Sequence, residues 1–203
     1  GRWAVAMALM ERLVAAGFKD TMVERVRHIR KYEHRYLAGG PEDCLKHVVL
    51  LALLRQMVRA SEGFSYIDAH AGGGLYDLSA EESQVFCNFQ DGISLLLSAG
   101  EVADSDLNLD LKQLCGMVMR CNLGGLQRYL GSPILALQWL RSQDEAIFFE
   151  TSAPVAKDLR RSIAHFADSN LKVNIVQENS YQHLLRGKNT LSQLKKALIL
   201  LDP

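Results

Sequence analysis

Four short apolar runs, at residues 64–68 (FSYID), 146–150 (AIFFE), 172–176 (KVNIV) and 197–201 (ALILL), constrain the fold more than any other feature. Each has the length of a buried strand, and helically spaced stretches separate them. Strand and helix in alternation close as right-handed crossovers. The pattern predicts an α/β fold, one parallel sheet with helices on both faces. Sheets of this kind bind ligands at the carboxyl ends of their strands. Here those ends read Asp68 to Gly74, Glu150, Gln177 to Ser180, and Asp202, all polar or glycine-rich.

Helix signals fit the same frame. Gly39-Gly40-Pro41-Glu42-Asp43 is an opener, with glycine at the bend, proline in the first turn and acids at the positive helix end. The helix it starts runs to about residue 60. Gly131-Ser132-Pro133 opens a second, and Pro154 a third that reaches about residue 166. Residues 77–130 read as helical and acidic. The Leu and Met stripe at 107–119 reads as core, and His28, His165 and His183 as surface or satisfied core residues.

Composition removes several classes. The 203 residues are 48% hydrophobic and 23% charged, enough to bury a core and too apolar for disorder. Equal numbers of basic and acidic residues exclude a globally basic nucleic-acid coat. The charge is nevertheless segregated. Residues 1–36 hold eight Lys and Arg against four acids, whereas residues 77–111 hold eight acids and no Lys or Arg. A polyanion would therefore meet the front of the chain. No apolar run reaches the ~18 residues of a membrane span. The four cysteines form no C-x-x-C pair and no histidines sit at metal spacing, so reduced thiols, no metal and a cytoplasm-like compartment are expected. Residues 1–17 are apolar and helical in pattern, and read as the remnant of a longer N-terminal region rather than a secretory signal.

A glycine-rich turn after one strand and an acid ending the next form the general device for an adenosine-type ligand. Glycines admit the ligand to the backbone, and the carboxylate accepts from both ribose hydroxyls. The turn is not G-x-G-x-x-G, and Glu150 lies 76 residues past Gly74 instead of the ~20 of a dinucleotide site. Glu150 does lie 18 residues after Ser132. Residues 75–130 are thus expected to be an insertion between the glycine turn and its helix. The organisation expected is an N-terminal helical extension, 1–31, and a domain, 32–203, with a helical insertion at about 77–130.

Residues 32–47 (YEHRYLAGGPEDCLKH) resemble the N-terminal signature of the bacterial 23S ribosomal RNA adenine-N(6) methyltransferases. Residues 67–76 (IDAHAGGGLY), 129–133 (YLGSP), Phe149-Glu150 and 198–203 (LILLDP) resemble that family's later motifs, in order. The resemblance implies a class I, Rossmann-like methyltransferase using S-adenosyl-L-methionine, with ribosomal RNA as partner, no membrane, a monomeric state, and a cytoplasmic location, organellar in a eukaryote. By position, Lys46 and His47 would meet the methionine end of the cofactor. His70, Gly72 and Gly74 would form the glycine turn, Ser132 would bind at the helix start, and Glu150 would hold the ribose. Asn179-Ser180 would lie by the adenine, where the family has Asp-Gly. Tyr32 would face the RNA, with Arg25, Arg27, Arg30, Lys31 and Arg35 as phosphate contacts. Glu33 replaces a basic residue of the signature, and residues 37–41 depart from its His- and Asn-containing form.

The resemblance also gives Asp202 and Pro203 a task. An adenine amine is a poor nucleophile, its lone pair delocalised into the ring. An Asp carboxylate and the next backbone carbonyl can accept its two N–H bonds while an aromatic stacks on the extruded base. The family motif is Asp-Pro-Pro-Tyr, and this sequence ends at Asp-Pro. That leads to the expectation of a fragment incomplete at its C-terminus, its fourth strand an exposed apolar edge. The alternative readings are a DNA adenine methyltransferase, which shares the Asp-Pro element, and a non-catalytic, truncated module that binds cofactor or RNA without turnover.

Overall fold

In a computed structural model that describes residues 34–99, 109–186 and 196–202, the four expected strands pair in one parallel sheet. The sheet strands are β1 (Ser65–Asp68), β4 (Glu145–Phe149), β5 (Lys172–Val176) and β6 (Ala197–Leu200), in the order β5-β4-β1-β6. Register sets what each face carries. Leu198, Tyr66, Ala146 and Val173 form one row, and Leu200, Asp68, Phe148 and Ile175 the next on the same side. The row between them, Ile199, Ile67, Ile147 and Asn174, points to the opposite side.

The first side is the main core. Leu50, Leu51 and Leu54 of α1 (Pro41–Met57) pack there with Ile134 and Leu135 and with Leu159 and Ile163. Ile134 and Leu135 belong to α5 (Ser132–Leu137), and Leu159 and Ile163 to α6 (Ala153–Phe166). The opposite side meets α7 (Ser180–Arg186), whose His183 ring lies 5.1 Å from that of Phe149. The expected helical flanking is present. β6 is one edge of the sheet, where Ile199 and Leu201 stay partly exposed.

One sequence reading needs correction. Residues 77–130 are not wholly helical, because β2 (Leu75–Asp77) and β3 (Arg128–Leu130), at the two ends of that stretch, pair antiparallel and put Tyr76 opposite Tyr129. Three-residue strands are too short to display alternation, and both merge with glycine turns in the sequence. Their pairing brings the chain back to its starting point. Gly131 N–H donates to Gly74 O at 2.7 Å, and Leu78 N–H to Gln127 O at 2.8 Å. Helices α2 (Glu81–Phe86), α3 (Leu95–Ala99) and α4 (Leu109–Arg120) lie within the excursion. It docks on α1 by packing Leu114, Met117 and Val118 into the core and by a two-pronged Arg55–Asp110 pair at 2.9 and 2.8 Å. Gly92 makes close backbone approach possible. A Cβ there would sit 2.1 Å from Gly39 O, which accepts from Ile93 N–H at 2.9 Å.

At the amino end of β1 and β4, Arg141 grips its surroundings. Its Nε and Nη2 donate to Asp144 at 2.9 Å each, Nη1 to the carbonyls of Val58 (3.0 Å) and Ala60 (2.6 Å), and Nη2 also to Glu62 O at 3.0 Å. Asp144 accepts as well from Phe64 N–H at 3.0 Å and from Arg141 N–H at 2.8 Å. No described helix is long and apolar enough to cross a membrane.

Candidate active site

A cavity of about 430 Å³ opens at the carboxyl ends of β1, β4 and β6. Lys46, His47, His70, Gly72, Ser132, Glu150 and Asp202 all line it, and Arg35 reaches its rim. These residues come from elements far apart in the chain, and only the parallel topology brings them together. Gly74, Asn179 and Ser180 are not in the lining. Asn179 Oδ1 accepts from Gln182 N–H at 3.0 Å, capping α7, and Ser180 is buried behind it. Arg25, Arg27, Arg30, Lys31, Tyr32 and Pro203 lie outside the described residues.

The glycine turn is held from beneath. Asp68 ends β1 fully buried, taking the Tyr66 hydroxyl and the His70 N–H at 3.2 Å each, with the Ser132 side chain as a further partner. Burial pushes the Asp68 carboxyl above its ordinary range, against the pull of Ser132, His70 and Tyr66. One carboxyl therefore positions two of the expected ligand contacts. Gly72 has φ +63°, and a Cβ on it would fall 2.2 Å from the Tyr76 hydroxyl. That hydroxyl accepts from Gly73 N–H at 3.3 Å, while Ser162 Oγ donates to Gly73 O at 2.8 Å. Glu150, just past β4, accepts from Ser152 N–H at 2.7 Å and stays at the cavity wall.

On the other side, the N-terminal signature meets the last strand. Lys46 Nζ donates to Asp43 Oδ1 at 2.8 Å and to Asp202 Oδ2 at 2.5 Å, so its amine bridges two carboxylates. Asp43, 4% exposed, also accepts from Gly39 N–H at 3.0 Å and lies 2.9 Å from His34 Nε2. Burial alone would raise the Asp43 carboxyl, but His34 and, further down, His47 and Lys46 hold it far below the usual carboxylate range. Burial works against the Lys46 charge, and the two carboxylates hold its amine above the ordinary value. Asp202 N–H reaches His70 Nδ1 at 3.3 Å, tying the fourth strand end to the glycine turn. Arg35 Nη1 pairs with Glu82 at 3.3 Å across the rim.

His47 is 1% exposed and stacks on Tyr129, its Nδ1 2.7 Å from the Tyr129 hydroxyl. Burial pushes its pKa down to about 3, leaving the ring neutral. Its Nε2, among the described residues, is the one buried side-chain N or O atom with no hydrogen bond. Among the same residues no group of three His, Cys, Asp or Glu could hold a metal ion.

Sequence reasoning passed over Asp43, Asp68, Tyr76 and Tyr129 as site residues. Asp43 reads as an ordinary helix-start acid and Asp68 as a strand end. The two tyrosines act through partners that the local sequence does not reveal.

A family model described as "Ribosomal RNA large subunit methyltransferase D, RlmJ" matches residues 61–203. The chain is 34% identical over 175 residues to Ribosomal RNA large subunit methyltransferase J of Haemophilus influenzae, and 30% identical over 173 residues to the protein of that name from Escherichia coli. Each match covers 85% of this chain and 58% of the relative, so the chain spans rather more than half the length of the curated relatives it matches. The crystal structure of protein LPL1258 from Legionella pneumophila superposes with a TM-score of 0.69 at 26% identity, over 82% of this chain and 57% of that one. The fold that carries the cavity is thus one already met in a solved structure, and the chain belongs to the RlmJ family of large-subunit ribosomal RNA methyltransferases.

Proposed function

We propose that this chain binds S-adenosyl-L-methionine and serves methylation of the exocyclic amine of an adenine in large-subunit ribosomal RNA. One observation carries the reading: seven motif residues, from Lys46 to Asp202, converge on a single cavity. The cavity also fits the cofactor on its own terms. A buried ring nitrogen, His47 Nε2, awaits a partner, the glycine turn lines the cavity with backbone, and a strand-end carboxylate stands where hydroxyls can donate.

When bound, the cofactor supplies an electrophilic methyl group on a sulfonium. Glu150 would accept from the ribose hydroxyls, and the His70 to Gly74 turn would pass beneath the nucleoside. His47 and Ser132 would hold the polar amino-acid end. The Asp202 carboxylate would accept an N–H of the target amine, its direction fixed by Lys46. Returning electron density to that nitrogen and aligning it accounts for much of the rate of an in-line transfer. Arg35 and the basic residues 25–31 are proposed as phosphate contacts, with residues 32–203 as the methyltransferase domain and the cytoplasm as its location.

Calorimetry with S-adenosyl-L-methionine, paired with methyl transfer to unmodified large-subunit rRNA, tests the reading. Asp202→Ala, in a form spanning the relatives' full length, is expected to abolish transfer and leave cofactor affinity within about twofold. A folded sample that does not bind the cofactor overturns the proposal.

A further inference from the structure

His47 and Tyr129 are 82 residues apart, yet their side chains form one buried hydrogen-bonded unit. The Tyr129 hydroxyl has a single proton and two neighbours that could take it, His47 Nδ1 at 2.7 Å and Cys44 Sγ at 4.0 Å. The first distance is that of a strong hydrogen bond, while the second is at the outer limit even for sulfur, a weak acceptor. Cys44 is no thiolate competitor, since burial pushes its pKa up to about 12, and its own S–H points to Gly39 O at 3.7 Å. The shorter contact is the stronger one, which favours the hydroxyl proton on the line to Nδ1 and Nδ1 as the bare nitrogen of the ring.

A neutral imidazole carries one N–H, and with Nδ1 accepting that N–H is on Nε2. We propose that Tyr129 is a positioning residue that locks His47 in the Nε2–H tautomer, so that His47 presents a hydrogen-bond donor to a ligand oxygen in the cavity. The oxygen best suited to a buried neutral donor is a carboxylate, which supplies the charge in a charge-assisted bond. This part rests on the cofactor reading above, in which the carboxylate is that of the methionine moiety. The other tautomer would donate from Nδ1 to the Tyr129 oxygen, turn the hydroxyl proton to the long Cys44 Sγ contact at 4.0 Å, and leave Nε2 a bare acceptor facing a carboxylate.

The lock also comes from outside the sheet. Tyr129 is in β3, where the excursion returns, and its pairing with Tyr76 sets its position. Tyr76 in turn supports the glycine turn through Gly73. The insertion thus reaches the ligand through two tyrosines on adjacent strands.

The test begins with the unliganded 203-residue chain labelled with nitrogen-15 in histidine, the His47 ring being assigned by its loss in His47→Gln. Long-range proton–nitrogen correlation is expected to show a protonated Nε2 and a bare Nδ1. A protonated Nδ1, or a mixture, overturns the proposal without need of any variant. Tyr129→Phe, which keeps the ring, is expected to give a tautomer mixture and to weaken S-adenosylhomocysteine binding by about tenfold, the size of one hydrogen bond. In a His47→Gln background, where an amide donor has no tautomer to set, the same change is expected to leave affinity unaltered. An equal loss in both backgrounds overturns the positioning role. If the native chain has the Nε2–H tautomer but does not bind S-adenosylhomocysteine, the cofactor reading fails and the proton lock stands.

Discussion

The two ends of the parallel sheet contrast. At the amino end of β1 and β4, Arg141 and Asp144 exchange hydrogen bonds with each other and with four backbone groups beyond their own residues. At the carboxyl end, Glu150 and Asp202 face a cavity and His47 Nε2 has no protein partner. The first end is saturated and holds the strands to α1. The second keeps some of its bonding capacity for something that is not protein. Unsatisfied polar groups are tolerated where a ligand completes them, which is why substitutions at the two ends should have different signatures.

The sharpest way to break the contrast is Asp144→Ala. It takes the carboxylate from the Arg141 guanidinium and leaves the buried Phe64 N–H without a partner, and should destabilise the fold by about 3 kcal/mol in denaturant titration. Cofactor affinity of the folded fraction should not change. A loss of affinity at unchanged stability would show that the amino end is not mere scaffold.

Asp43→Asn is the intermediate case, since Asp43 belongs to the open end yet is itself fully engaged. Removing its charge should lower stability by about 2 kcal/mol at neutral pH and free Lys46 from one of its two partners. Because its folded pKa is depressed, the native stabilisation is present above the unfolded value of ~3.9 and lost as pH falls further. The variant should therefore lose less stability than the native chain in that acid range, as chemical melts in a pH series will show.

His47 acts at higher pH. With a folded pKa of about 3 against an unfolded value near ~6.5, the unfolded chain binds the extra proton. Stability should fall as pH drops below ~6.5, by up to about 1.4 kcal/mol per unit, and His47→Gln should flatten that slope. The smallest effect on stability is expected from Glu150→Gln, within about 0.5 kcal/mol, since the amide oxygen still accepts from Ser152 N–H. Cofactor binding should weaken about tenfold, giving the reverse of the Asp144 signature.

Much of this was legible in the chain. Strand-and-helix alternation implies the parallel sheet, and the distance from Gly74 to Glu150 implies an insertion, because the shorter distance from Ser132 restores ordinary geometry. What was hidden depends on partners remote in sequence. Tyr129 looks like any buried aromatic until β2 and β3 pair, and three residues per strand leave no periodicity to read. Asp43 follows the rule for a helix start, and that local rule conceals its hold on Lys46. At Asn179 and Ser180 motif position points to the ligand, while the structure adds a local task that the motif does not reveal, the capping of α7 by Asn179 Oδ1.

The Lys46–Asp202 bridge joins residues 156 positions apart. At ribosomal speeds of roughly 5–20 residues per second, the lysine leaves the synthesis machinery on the order of ten seconds before its second carboxylate exists. Throughout that interval Asp43, three residues away, can hold the amine and keep it from a wrong partner. The nascent chain thus carries a built-in placeholder for the amine.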